Sequence, residues 1–511
     1  MASNMSQGAY APLPQSLSDS DSEKETSDHN RLSFTARKLQ NGNETRNGYP
    51  VPPHVVNLSR REGFTNMTRA RKVAFIASIL LCFLVIVVFL WILPCNSEGT
   101  CPMRLNSWKN EHEGLEFKGK INIVHGLYKN SLNMVLLGKK SIVSENQQSG
   151  TVAIKVIDGD LAWFVPQIQM PNTVDCEMID LNGDNIKDCL ILSKIGLEAV
   201  DSVSGEKIWN LHNEKMIISN VDFPQLLPDL NNDGTNEMIT VAEKSPNHNR
   251  LIVFSGLTGK MLLNIVLKSC INISDFKFVD NYFIYFCTNA SFKNYFKIHF
   301  SEFQTKYVNN TYTVKSAKID YHPEYKDDVI LNGRSLFVKN EGKCPNCRAS
   351  LDLVNHSSKV PIWTKTLEKT FAMRPVTFSF KGTQNYQALK GHMNGFILKL
   401  WSWNHSNITA QNNVSEKIVL ITFNDTNVHE INVSYSQITQ ICLKDGQCQP
   451  DFSDENDSLM INDLDLDGEL ELISYSSGFK CPRESIETCK LISSIEVVRL
   501  EGELPKLYAS K

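Results

Sequence analysis

Read for hydrophobic and polar positions, the 511-residue chain changes character twice. Residues 1–72 carry Ser, Asn and charge with few large apolar side chains. Such a segment cannot offset its chain entropy by burial, and a disordered tail is expected. Residues 73–93, VAFIASILLCFLVIVVFLWIL, hold no charge and are long enough to cross a bilayer as a helix. They lie too far into the chain, and run too long, for a cleaved signal peptide. A stalk is expected over 94–110. From 111 to 511 the pattern becomes short apolar runs broken by Gly, Asn and Ser turns, with no long helical period. Regular strand spacing of this kind predicts an all-β domain: a barrel, a sandwich or a propeller.

Repetition chooses among the three. LILSKIGLEAVDSVSGEKIWNL reads as strand, turn, strand, an SVSGEKIW turn and a third strand. MITVAEKSPNHNRLIVFSGLTGKMLLNIVL repeats the plan with SGLTGKML in the equivalent place, and LVNHSSKVPIW near Trp363 looks like a worn third copy. The two clear copies begin at Asp180 and Asp229, a period of about 50 residues, the size of one four-stranded blade. Dividing 111–511 by that period predicts a β-propeller of about seven or eight blades.

Candidate chemistry is concentrated in three stretches in one register: MIDLNGDNIKDCLIL, LPDLNNDGTNEMITV and MINDLDLDGELELIS. Oxygen-bearing side chains fall at positions 1, 3, 5 and 9. They are Asp180, Asn182, Asp184 and Asp188; Asp229, Asn231, Asp233 and Glu237; and Asp463, Asp465, Asp467 and Glu471. Calcium takes six to eight oxygen ligands at about 2.3–2.6 Å, and acids on alternate residues supply them. Position 7 (Ile186, Thr235, Glu469) is expected to add a backbone carbonyl. An EF-hand is excluded, because position 12 holds Ile191, Thr240 and Ser474 rather than Glu, and the flanks are strand-like. Gly234 and Gly468 stand at position 6, where a tight loop wants positive φ, and Asn185 replaces them in the first loop. The bland alternative is an acidic turn, since Asp, Asn and Gly dominate turns for local reasons.

The D-x-[DN]-x-D-G-x-x-[DE] loop between strands resembles the calcium loop of FG-GAP repeats in integrin alpha-chain propellers. The chain as a whole resembles the integrin-alpha FG-GAP-repeat-containing family of single-pass type II membrane proteins, with GFILKLWSW at 395–403 and the serine- and acid-rich tail in support. The Phe-Gly and Gly-Ala-Pro signatures of that repeat are absent. The VDSVSGEKIW turn is also similar to the quinoprotein-type propeller repeat, in which Trp packs against the turn and locks neighbouring blades. Trp209 is accordingly expected to be a packing residue.

Charge sets the orientation. Arg60, Arg61, Arg69, Arg71 and Lys72 precede the span, and the next basic residue after it is Arg104. Positive charge stays cytoplasmic, which predicts an N-terminus inside and 111–511 at the cell surface or in the secretory lumen. Twelve of the thirteen cysteines follow the span, as an oxidising compartment permits. Local pairing is the simplest proposal: Cys95/Cys101, Cys176/Cys189, Cys270/Cys287, Cys344/Cys347, Cys442/Cys448 and Cys481/Cys489. Ten N-x-[ST] sequons also follow the span, making a glycoprotein. A net charge of −4 argues against a nucleic-acid partner. In the tail, SLSDSDSEKE is either a target of acid-directed kinases or a solubilising tract.

No H-E-x-x-H, G-x-S-x-G or phosphate loop is present. CPNC at 344–347 is open to three readings: a disulfide, a redox centre or half a zinc site. The reading that results is a non-enzymatic binding module with structural calcium and an unidentified extracellular or membrane-protein partner. Its rivals are a calcium-dependent hydrolase with an unrecognised site and an accessory subunit for another membrane protein.

Overall fold

The computed structural model describes residues 68–87 and 105–500, apart from 129–130, 144–147, 212–218, 244–248, 268–269, 290, 310–313, 322–328, 382–391, 406–408, 424–426 and 483–487. The expectations for residues 1–67, for the end of the span and most of the stalk, and for Cys95/Cys101 lie outside the described residues. Helix α1 runs Arg69–Val87, opens ahead of the predicted start at 73 and buries none of its residues. It is long and apolar enough to cross a membrane.

The second unit is a β-propeller. Its strands form seven antiparallel sheets among the described residues, each a meander of four strands or slightly more. Blade one is Leu115–His125, Leu132–Lys140, Gly150–Lys155 and Leu161–Pro166, paired in that order. Blade two follows from Pro171 to Asn210, and blade three from Ser219 to Val266 with its inner strand split in two. Blade seven is made from the first and last strands of the propeller segment. Leu459–Asn462, Glu471–Lys480 and Lys490–Arg499 supply three strands, and Trp108–Glu113 adds the outermost one antiparallel to the last. That first strand falls partly within the stretch expected to be stalk. The reason is tertiary, since its register is set by a partner nearly 400 positions away.

The strands form because their apolar residues recur every second position. Tyr282–Thr288 alternates regularly between buried and partly buried residues, so one sheet face meets each neighbouring blade. On blade seven Ile495 and Val497 join the core shared with Phe117 and Met134 of blade one. Glu496 and Val498 point to the opposite face.

Tryptophans fasten consecutive blades. The Trp209 indole N–H of blade two donates to the Gly256 carbonyl in the third-blade turn at 2.8 Å, and a Cβ on Gly259 would lie 2.7 Å from the Trp209 ring. Trp163 meets Ser202 and Gly205 of blade two in the same way. Trp108 of blade seven meets Val156 and Gly159 of blade one. Gly159, Gly205 and Gly259 all have positive φ. The worn copy near Trp363 is a hairpin turn too, with Lys359 at φ 53° in the glycine's place.

Five of the expected cysteine pairs are joined: Cys176–Cys189, Cys270–Cys287, Cys344–Cys347, Cys442–Cys448 and Cys481–Cys489. Cys344–Cys347 closes the tip of the hairpin between Arg334–Lys343 and Asn346–Asn355. It opens no helix, where a redox motif of this type belongs.

Candidate metal centres

Each acidic loop joins the first and second strands of its blade: Asp180–Asp188 in blade two, Asp229–Glu237 in blade three and Asp463–Glu471 in blade seven. In a meander the first-to-second and third-to-fourth connections lie on one edge, so all three loops share a pole with the glycine turns. Two contacts bear this out. The Asn182 amide donates to Asp201 at 3.2 Å, and the Ser255 hydroxyl donates to Asp233 at 3.1 Å.

The loops have the same internal wiring. The position-1 carboxylate accepts from the backbone N–H of position 6: Asp180 from Asn185 at 2.8 Å, Asp229 from Gly234 at 2.9 Å and Asp463 from Gly468 at 3.0 Å. The position-9 carboxylate folds back to accept from position 2, as in Leu181 to Asp188 at 2.7 Å and Leu464 to Glu471 at 2.9 Å. Positive φ occurs at position 6 in Asn185, Gly234 and Gly468, and also at position 4 in Gly183, Asn232 and Leu466. Asn185 therefore adopts the conformation the glycines take, as its side chain allows.

Convergence differs among them. Among the described residues, two groups bring three acidic oxygens within 4.8 Å of one another: Asp229, Asp233 and Glu237, and Asp463, Asp465 and Glu471. Asp180, Asp184 and Asp188 form no such group. In the two converging loops, Glu237 Oε1, Asp463 Oδ1 and Glu471 Oε1 are buried with no hydrogen-bond partner. Glu237 and Glu471 are both 0% exposed. A buried carboxylate oxygen without a donor is costly, and like charges nearby add to the cost. Burial, followed by the neighbouring acids, pushes Glu471 up to about 7. Burial likewise raises Glu237, and takes Asp188 to about 6. At Asp233 slight burial acts upward, but donors from Asn231, Thr235 and Ser255 outweigh it and hold the carboxyl below its ordinary value. Hard oxygen donors, an unpartnered buried oxygen and an open backbone curve fit a calcium-sized cation in the second and third loops.

The third loop has partners that the sequence pattern did not reveal. The Leu105 backbone N–H donates to Asp465 at 2.6 Å. Arg499, at the end of the last strand, pairs with Asp467 at 2.8 Å and with Glu469, and donates to the Leu105 carbonyl at 3.2 Å. Glu469 was expected to offer only its carbonyl; its side chain is balanced by Arg499. No local signal marks either residue: Arg499 stands opposite Glu471 across the hairpin of the last two strands, and Leu105 arrives with the segment that closes the ring.

With the geometry in place, known proteins can be compared. Residues 120–278 match the family model described as the FAM234A/B beta-propeller. The chain is similar to a β-propeller family. Protein FAM234A of Mus musculus is 26% identical over 230 residues, which is 41% of this chain and 40% of that protein. The Bos taurus protein is 26% identical over 214 residues, 39% of this chain and 38% of its own length. The match thus spans well under half of those relatives. Among solved structures, BBS1N in complex with ARL6DN aligns at 8% identity and TM-score 0.29, covering 76% of this chain and 96% of that one. The WD40 domain of SCAP from fission yeast aligns at 10% identity and TM-score 0.26, covering 78% and 88%.

Proposed function

We propose that the protein is a single-pass type II membrane protein whose propeller is a calcium-stabilised binding module of FG-GAP type, displayed at the cell surface or in the secretory pathway. The observation that carries the calcium reading is the pair of converging acid groups with orphaned buried oxygens on Glu237, Asp463 and Glu471. Calcium there is structural: it neutralises the acids and fixes the loops that shape one pole. The basic flank of the helix supports the orientation. The sequon asparagines Asn272, Asn404, Asn413 and Asn432 are exposed, as glycosylation requires.

Binding rather than catalysis is the role proposed, with an extracellular or membrane protein as partner. The loop pole of blades seven, one, two and three suits it. There Leu127 and Tyr128, at the tip of the first hairpin of blade one, are 73% and 76% exposed, and Leu466 of the third loop is 85% exposed. Apolar tips between charged loops are typical of recognition surfaces.

The test is thermal unfolding of the full chain in nanodiscs. Calcium bound only by the folded state stabilises it by about 2.7 kcal/mol at a hundredfold excess over Kd. Chelation is expected to lower Tm, with recovery in calcium and not in magnesium, which demands tight octahedral geometry. Asp233→Ala and Asp463→Ala, each of which removes a member of a converging group, are expected to blunt the response; Asp467, expected from its spacing to be a ligand, lies outside that group and pairs with Arg499. Identical melting with calcium and with chelator would leave the loops as ordinary acidic turns. Proximity labelling from the propeller on intact cells identifies the partner, and a tag on the N-terminus reachable from outside would overturn the orientation.

A further inference from the structure

Blade six, in which Thr370–Ala372 and Val376–Lys381 pair with His392–Trp403, followed by Gln411–Phe423, Val428–Cys442 and Cys448–Gln449, does not close fully against blade seven. A cavity of about 360 Å³ lies between their sheets. Blade six contributes Phe378, Ile397 and Leu420, and blade seven contributes Leu472 and Val498. All but Val498 are almost entirely buried. A void of this size forfeits packing contacts on both walls and falls within the range of small-molecule sites.

One charge enters this apolar lining. Glu496 lies on the cavity face of the last strand and is partly buried. Its cross-strand neighbours are Ser474 on one side and Lys109 on the other. Lys109 is exposed, and no ion pair joins it to Glu496 among the described residues. Ser107, Ser434 and Ser474 also line the cavity. A carboxylate set in an apolar wall without a cation gains from a positive, hydrogen-bond-donating guest, whereas an anion there meets repulsion in a low-dielectric setting.

We infer that the cavity between blades six and seven is a binding site for a small organic ammonium ion, its hydrocarbon body held between Leu420 and Leu472 and its head group paired with Glu496. A body of phenylethyl or hexyl size fits the volume and leaves the head group near the lining serines. The site is separate from the acidic loops, because Glu496 and Val498 face blade six while Arg499, the next residue, turns toward the third loop.

The experiment uses the full chain in nanodiscs with calcium present. Water-soluble 2-phenylethylammonium and n-hexylammonium serve as probes, with 2-phenylethanol and 3-phenylpropanoate as neutral and anionic controls. Saturable binding by calorimetry and a raised Tm are expected for the cations, with at least a tenfold weaker response to both controls. Glu496→Gln is expected to bring the cations down to the level of the neutral control. Val433→Trp, which fills the cavity from its outer side, is expected to abolish binding while a cooperative melting transition near that of the parent chain persists, showing that the ring remains folded. Absence of saturable binding, equal binding of the anion, or an unchanged preference in Glu496→Gln would each overturn the assignment. Repeating the titration with chelator separates this site from the calcium reading, because cation binding is expected with and without bound metal.

Discussion

Glu471 gives the propeller a pH dependence whose sign follows from its burial. Its carboxyl rises from an ordinary 4.5 to about 7 in the metal-free fold. The folded chain then holds a proton that the unfolded chain releases, so the contribution of Glu471 to metal-free stability is full at low pH and is lost as pH rises from about 4.5 through about 7. In its proposed role, calcium would bind the ionised carboxylate and offset that loss. The rise in Tm on adding calcium is therefore expected to be larger at pH 7.5 than at pH 5.5. Glu471→Gln should flatten the metal-free profile and shrink the calcium effect; melting curves at both pH values, with calcium and with chelator, read this directly. Leu466 presents a different residue-scale problem. It sits at φ 57° with its side chain 85% exposed, a conformation that costs a non-glycine residue roughly 1–2 kcal/mol. Leu466→Asn is expected to leave stability unchanged or raise Tm slightly. If it weakens a partner while Tm holds, Leu466 belongs to the recognition surface.

At the scale of the element, the repeated unit is a blade carrying a glycine turn that receives the previous blade's tryptophan. Removing the Trp209 donor, which lies 2.8 Å from the Gly256 carbonyl, with Trp209→Phe is expected to cost about 1 kcal/mol. Trp209→Ala also leaves a cavity and is expected to cost about 3–5 kcal/mol. Gly259→Ala attacks the same joint from the other side. Its Cβ would stand 2.7 Å from the indole at a backbone φ of +65°, and urea unfolding should place it nearer the alanine than the phenylalanine variant. Equal midpoints for all three and the parent chain would mean that the turn contributes nothing to blade packing.

For the whole molecule the vulnerable place is the closure of blade seven. The strand Trp108–Glu113 is held by pairing with the last strand and, just ahead of it, by the Leu105–Asp465 and Arg499–Leu105 contacts at the third loop. Under the proposed calcium role, metal in that loop and closure of the ring would be linked. Limited proteolysis should cut near residues 105–113 faster after chelation, and calcium should restore protection. Arg499→Met is expected to speed the cut even with calcium, because it removes the cation that balances Glu469 and the donor to Leu105. Asp233→Ala, in blade three, should leave the cutting rate near that of the parent chain. Equal acceleration by both variants would show that calcium acts on the ring as a whole.

Several of these features were legible in the residues themselves because they are local. A two-residue hydrophobic period makes strands, an Asn or Gly at position 6 takes positive φ, and cysteines six or thirteen apart can meet across one hairpin. The resemblance of the VDSVSGEKIW turn to the quinoprotein-type repeat marked Trp209 as a packing residue, and the turn that receives it lies about one period further on. Other features had no local signature. The chain alone did not reveal that the third-loop acids are balanced by Arg499, that Trp108 closes the ring, or that the first loop's acids fail to converge as those of the other two do. Nor did it show Lys399 wholly buried with Glu416 and Glu455 within 4 Å, in a strand that reads as ordinary apolar sequence. Strand period and turn chemistry act over a few residues and are written in them. Charge pairing, ring closure and the unfilled space between blades depend on which distant strands become neighbours, and only the folded ring decides that.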